Sequence, residues 1–324
     1  MKLHAIQTGT VRPAGRKQLC PATANPVPVR AGREGWHGSW CSMDAGAINL
    51  TEGVVMAEEI LYAEERGAGV PLVLLHGFPF DHTLWDAQMA PLSEVARVLA
   101  PDLPGFGRSA PLGGGAPTMD AYADAVVAWA DGLGLDRFIL VGHSMGGYVA
   151  FAVLRRHSAR VRGLGLVCTR AGADSEQARA NREQQSTGVR GRGAVVVAEA
   201  MLPGLLAPGA AQEHPEMVDH VRRLMLGQPP AGIIAALAAM ATRPDSTPLL
   251  PAISVPTVVV AGADDRIISR PDVDLLAARI RGARQVIIPG AGHLPMLEQP
   301  EKLTAALRDL AGGASSSKAS PEPA

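Results

Sequence analysis

Short runs of consecutive apolar residues recur along this chain, separated by stretches with helical spacing. Leu72-Val73-Leu74-Leu75, residues 95–100, Phe138-Ile139-Leu140-Val141, residues 164–168, Thr257-Val258-Val259-Val260-Ala261 and Gln285-Val286-Ile287-Ile288 read as strands. Residues 59–65 alternate polar and apolar positions, as a half-exposed strand does. Residues 119–132, 148–154 and 272–281 carry helical spacing, and Pro271 suits the first turn of the last of these helices. Strands that are apolar on both faces and separated by helices predict an α/β fold, a mostly parallel sheet covered on both sides.

One stretch breaks this alternation. Residues 173–250 contain no β-rich run, and Pro203, Pro208, Pro215, Pro229 and Pro230 punctuate segments of helical character. The pattern predicts a helical cap inserted into the α/β core, too long to be an ordinary loop. Ligands of open α/β sheets bind outside the carboxyl ends of the strands. An insertion leaving from the strand that ends at Cys168 would hang over that crevice. The core is therefore expected over 56–172 and 251–312. Residues 1–55 read as a disordered extension, because Pro13, Pro21, Pro26, Pro28 and nearby glycines interrupt every candidate element. In an alternative reading the native start lies downstream, since Met56 would open the folded domain cleanly. Residues 313–324 read as a flexible tail.

Composition narrows the partners. With 47% hydrophobic and 19% charged residues the chain is of the globular class, and a formal net charge of −1 offers nothing to attract nucleic acid or an anionic membrane. Cys20, Cys41 and Cys168 are too scattered for a disulfide framework or a zinc site, and Cys168 reads as a small core residue. The first twenty residues lack the apolar segment of a secretory signal, and no apolar stretch approaches the ~20 residues of a membrane span. The expected setting is cytoplasmic.

The chemistry centres on Gly142-His143-Ser144-Met145-Gly146-Gly147, reached directly from an apolar strand and followed by an unbroken helical run. Gly-x-Ser-x-Gly between a strand and a helix aims a serine hydroxyl from a sharp turn, and the flanking glycines make the turn sterically possible. A serine nucleophile needs a base, an orienting acid and donors for the oxyanion. His293 lies in a turn just past the last apolar strand, at the same sheet edge as Ser144, and is the candidate base. Asp264 and Asp265 follow the preceding strand at that edge. His76-Gly77-Phe78-Pro79 ends an early strand, where Gly77 lets the Phe78 N–H turn inward. The Met145 N–H at the first turn of the following helix is the second candidate donor. His76 itself reads as a packed loop residue.

Together the His76-Gly77-Phe78-Pro79 loop, the Asp102-Leu103-Pro104-Gly105-Phe106-Gly107-Arg108-Ser109 block, the serine turn and the Gly262-Ala263-Asp264-Asp265…Gly290-Ala291-Gly292-His293 pair carry a resemblance. The chain from about Met56 to Leu310 resembles an α/β-hydrolase-fold serine hydrolase of the bacterial carboxylesterase and 3-oxoadipate enol-lactonase group. That resemblance implies Ser144 as nucleophile, His293 as base, Asp265 rather than Asp264 as acid, and Phe78 and Met145 as oxyanion donors. It implies hydrolysis of a small carboxylic ester or lactone through an acyl-enzyme, with no metal or organic cofactor. Activity is then expected to fall in acid as His293 takes a proton, near the ~6–7 usual for imidazole. Dehalogenases and epoxide hydrolases of the fold carry aspartate where Ser144 stands. The carbon–carbon hydrolases usually have another oxyanion loop and asparagine in place of His143. Cofactor-free perhydrolases share the loop and the Ser-Met pair but typically have Arg-Arg at Leu103-Pro104, and they remain an alternative activity. A non-catalytic small-molecule receptor of the same fold is the alternative from another class. Met201, Leu202, Leu206, Met225, Ile233 and Met240 in the insertion either line an acyl pocket or pack the insertion itself.

Overall fold

The computed structural model describes residues 61–316. The predicted extension over 1–55 lies outside the described residues, as do 317–324. Seven strands form one sheet in the order β1-β3-β2-β4-β5-β6-β7. They are β1 (Ala63–Arg66), β2 (Pro71–Leu75), β3 (Arg97–Pro101), β4 (Phe138–His143), β5 (Val161–Val167), β6 (Thr257–Gly262) and β7 (Arg284–Ile288). All neighbours run parallel except β1, which is antiparallel to β3, with Ala63 opposite Pro101. Alternation along the apolar strands sends side chains into two cores. Val73, Leu75 and Leu140 join one, and Leu72, Leu74, Ile139 and Val141 join the other. Both faces of these strands meet helices, which is why they are apolar at every position.

The first core is covered by α2 (Met119–Gly132), α3 (Met145–His157) and α9 (Arg270–Arg279). The second is covered by α1 (Asp86–Ser93) and by α11 (Pro300–Ser316), which follows the short α10 (Pro295–Glu298). The helix starts follow from local chemistry. The Thr118 hydroxyl accepts the Ala121 N–H at 3.1 Å to open α2, and Ser269 accepts the Asp272 N–H at 3.3 Å to open α9. The C-terminal expectation is corrected at its start. Residues 311–316 continue α11, where a tail was expected from 313, because Ala314 is fully buried and its Cβ packs on the Cα side of Gly163.

Five α-helices lie between β5 and β6: α4 (Glu176–Arg192), α5 (Val195–Leu205), α6 (Ala210–Glu213), α7 (Pro215–Leu226) and α8 (Pro230–Ala241). Most of the apolar residues weighed for an acyl pocket are packing residues. Met225, Ile233 and Met240 are buried within the two cores, and Leu202 and Leu206 are almost so. No single helix among the described residues is long and apolar enough to cross a membrane.

The root of the insertion is held by a charge cluster. The fully buried Asp174 carboxylate pairs with Arg170 at 2.8 Å, Arg243 at 2.7 Å and Arg182. Arg243 also lies over the Tyr148 ring and donates to the Met240 and Gly172 carbonyls, which ties the end of α8 to the chain leaving β5. Burial pushes the Asp174 carboxyl up, but the hydrogen bonds and charges of Arg182 and Arg243 outweigh it, so the group sits below its ordinary range. Asp174→Asn is expected to lower the unfolding free energy by about 3 kcal/mol near neutral pH, because it leaves the buried Arg243 guanidinium, and the part-buried Arg170 and Arg182, without their anion. A carboxyl depressed in the native state stabilises above its unfolded value and loses that contribution as pH falls through the native one. Urea titrations of wild type and variant should therefore converge in acid, and a constant difference from pH 7 down to pH 3 would contradict this account.

Candidate active site

β4 delivers Ser144 to the carboxyl edge of the sheet in a backbone conformation that few non-glycine residues adopt, φ 50° and ψ −110°. The turn is over-determined by its neighbours. The Ser144 N–H donates to the Val167 carbonyl at 2.9 Å, and its carbonyl accepts the Thr169 hydroxyl at 2.8 Å and the Gly147 N–H at 2.9 Å. A Cβ on Gly142 would collide with the Gly146 carbonyl, and one on Gly146 would collide with the Leu75 carbonyl. Gly142 and Gly146 are therefore required by backbone contact, and Gly147 by the Thr169 side chain. Met145 opens α3 directly after the turn and is fully buried. Its N–H is among the helix-terminal amides that have no intrahelical acceptor.

β6 and β7 supply the other polar groups. The His293 Nδ1–H donates to Asp265 Oδ2 at 2.9 Å, with both side chains nearly inaccessible to solvent. The second oxygen of Asp265 accepts the N–H groups of Ile267 at 2.8 Å and Ile268 at 3.0 Å. Burial works to raise the Asp265 carboxyl, yet the His293 interaction and these amides bring it below its ordinary range. Of the aspartate pair, Asp265 is the one bonded to His293; the Asp264 backbone N–H bonds the Ala291 carbonyl instead. His293 Nε2 is buried with no hydrogen-bond partner, so its link to the Ser144 hydroxyl is not formed in this structure.

His143 joins the two halves of the site. Its Nε2–H donates to the His293 carbonyl at 2.8 Å, and the two rings lie 4.8 Å apart between centroids. Burial first, then the neighbouring His293, pushes its pKa down to about 3, so this imidazole stays neutral. Its other nitrogen faces Gly77, where a Cβ would strike the ring. Gly77 is thus needed to seat the early loop against the serine turn, within reach of the Ser144 Cβ. Phe78 on that loop is buried and meets Phe106 edge-on. His76 is a packed loop residue: its Nε2 accepts the Leu103 N–H at 2.8 Å and its Nδ1 bonds the Gly77 carbonyl. The buried Asp102 accepts the His82 N–H, the His82 ring N–H and the Arg108 N–H, so the block from Asp102 to Ser109 forms the floor of the early loop.

Three features were not legible in the sequence. Thr169 braces the serine carbonyl, Cys168 takes φ 47°, and Glu298 bonds the His293 loop. Cys168 is the small core residue expected; it lies beside His143, His293 and Asp265, and its burial raises the thiol well above its ordinary range. No motif marks any of the three: Thr169 acts on backbone 25 residues away, and Glu298 joins Gly292, six residues before it, to Ala207, 91 residues away. Two groups have metal-ligand spacing, His143–Cys168–His293 and Asp81–His82–Asp102. In the second group the hydrogen bonds just described occupy His82 Nδ1 and the Asp102 carboxylate, whereas in the first His143 Nδ1 and His293 Nε2 carry no hydrogen bond.

The insertion reaches both sides of this site. Gln228 accepts the Gly107 N–H at 3.0 Å and donates to Asp81 at 2.8 Å, while Gly232 is pressed against the Gly105 carbonyl. At the other side, the Leu205 carbonyl accepts the His293 N–H at 2.8 Å.

Comparison with known proteins gives these elements a common context. An esterase from Thermogutta terrifontis, solved with malate bound, is 44% identical with a TM-score of 0.76, covering 78% of this chain and 93% of its own. The enol-lactonase from Burkholderia xenovorans is 27% identical with a TM-score of 0.71, covering 77% and 95%. A non-heme haloperoxidase from Rhodococcus erythropolis is 31% identical over 248 residues, 72% of this chain and 89% of that protein. The model of the alpha/beta hydrolase family matches residues 72–307. With the sheet order, the serine turn and the relatives in agreement, the chain belongs to the alpha/beta hydrolase family.

Proposed function

We propose that this protein is a serine hydrolase that cleaves a small carboxylic ester or lactone through an acyl-enzyme. The observation that carries the reading is the buried Asp265–His293 hydrogen bond, which leaves His293 Nε2 unpaired beside the strained serine turn. Ser144 attacks the acyl carbon, and His293 takes the hydroxyl proton and returns it to the leaving oxygen. Asp265 holds the imidazole with its proton on Nδ1, the tautomer that leaves Nε2 free to accept. The N–H groups of Phe78 and Met145 receive the oxyanion. Water then cleaves the acyl-enzyme by the same route in reverse. The helical insertion acts as the cap over this site. The resemblance to an esterase and an enol-lactonase supports the substrate class, and the haloperoxidase relative supports perhydrolysis as a second reading.

A panel of p-nitrophenyl esters of graded chain length, with lactones and with acetate plus hydrogen peroxide, tests both readings. Turnover of short esters or lactones without peroxide is expected. Peracid formation from acetate with no ester or lactone turnover would replace the first reading by the second. A folded wild type that no fluorophosphonate labels would remove both.

A further inference from the structure

The loop that carries His293 has little side chain of its own. Gly290, Ala291 and Gly292 precede the histidine, so its position depends on what bonds its backbone. Asp265 holds the ring, His143 holds the carbonyl, the Leu205 carbonyl accepts the His293 N–H and the Asp264 N–H bonds the Ala291 carbonyl, which leaves the approach through Gly292 to be held separately. That approach is covered by the end of α5 and the residues after it. A Cβ on Gly292 would sit 2.7 Å from the Ala207 nitrogen and 3.0 Å from the Leu205 oxygen, so the two backbones touch. Glu298, the last residue of α10, spans this contact. Its Oε1 accepts the Ala207 N–H at 2.6 Å and its Oε2 accepts the Gly292 N–H at 2.8 Å. One half-buried carboxylate therefore joins the insertion to the residue directly before the imidazole.

We propose that Glu298 is a positioning residue that couples the placement of the insertion to the placement of the His293 ring. The inference rests on the reading of His293 as the base. Two acceptor oxygens facing two backbone N–H groups form an arrangement that only a carboxylate completes. An amide turns one acceptor into a donor aimed at an N–H, and alanine leaves both amides without their partner. Asp265 stays bonded in either variant, so the ring keeps its tautomer and loses its register with Ser144. Displacement of a reacting group by about 1 Å is enough to cost about 10²-fold in rate. The loss falls on the chemical step, since Glu298 bonds backbone amides of the chain itself.

The experiment compares the full-length wild type, Glu298→Ala and Glu298→Gln. It reads the rate of Ser144 labelling by a fluorophosphonate, kcat and KM on a short p-nitrophenyl ester, and the urea midpoint. Glu298→Ala is expected to lose about 100-fold in labelling rate and in kcat with KM nearly unchanged, and Glu298→Gln about 10-fold. Added formate, a carboxylate small enough to occupy the vacated space, is expected to restore much of the alanine variant's labelling rate. Folded Glu298→Ala that labels like the wild type overturns the inference, as does a loss that formate does not reverse. If the alanine variant does not fold, a folded Glu298→Gln with wild-type labelling overturns it equally. A wild type that fails to label overturns the hydrolase reading itself, and this inference with it.

Discussion

Ser144→Ala is expected to lower kcat on any ester that the wild type turns over by about 10⁵- to 10⁶-fold, without loss of fold. The size of the effect follows from the division of labour. In the proposed mechanism His293 and Asp265 act only through the hydroxyl they activate, so removing it costs about as much as removing the whole set. The residual rate reflects binding and the backbone donors. Ser144→Gly, equally inactive, adds a readout of strain. At φ 50° an alanine keeps a Cβ that glycine lacks. Glycine at this position is expected to be more stable than alanine by about 1 kcal/mol, even after its larger unfolded-state entropy. Steady-state assays with active-site titration check the first claim, and urea unfolding checks the second. Retention of even a hundredth of wild-type kcat by purified Ser144→Ala would remove the serine from the mechanism.

Asp265→Asn is expected to lower kcat by about 10⁴-fold, and the geometry says why an isosteric change is so severe. The Asp265 oxygen that faces Ile267 and Ile268 accepts two backbone N–H groups. An asparagine keeps its carbonyl oxygen there, because its NH₂ would meet two donors. That orientation turns the NH₂ toward His293 Nδ1, which must then accept rather than donate. The imidazole proton moves to Nε2, the nitrogen that takes the serine proton in the proposed mechanism. The base is present, correctly placed and in the wrong tautomer. Asp264→Asn is the control, since its carboxylate is not the one bonded to His293, and kcat is expected to stay near the wild type. A loss shared equally by both variants would contradict the assignment.

Much of the framework is legible from the chain alone because two-sided burial leaves an unmistakable mark. Leu72-Val73-Leu74-Leu75 and Val258-Val259-Val260-Ala261 are apolar throughout because helices cover both faces of β2 and β6. The helix over 119–132 has the same limits in the structure, where apolar spacing and the Thr118 cap agree. Edges are less legible. β1 begins at Ala63, later than the alternation over 59–65 predicts, because pairing with β3 sets its start. The Gly-Gly-Ala-Ser run after Ala311 looks like a tail on composition. It is helical to Ser316 because Ala314 fills the space that Gly163 leaves, a contact between residues far apart in sequence.

The candidate site divides in the same way. The sequence by itself determined the strand-turn-helix that bears Ser144, the presence of acidic and imidazole groups at the ends of β6 and β7, and the helical insertion between 173 and 250. Each is a local pattern, enforced by backbone sterics or by the periodicity of burial. The tertiary structure decided which aspartate meets His293, since adjacent residues on a tight turn point in different directions. It also decided that His143 donates to the His293 carbonyl as a neutral imidazole, and that Glu298 and Leu205 bind the insertion to the His293 loop. Those bonds run mostly between side chains and distant backbone amides or carbonyls. Every residue has such backbone groups, so no residue type in the sequence announces where they will be met.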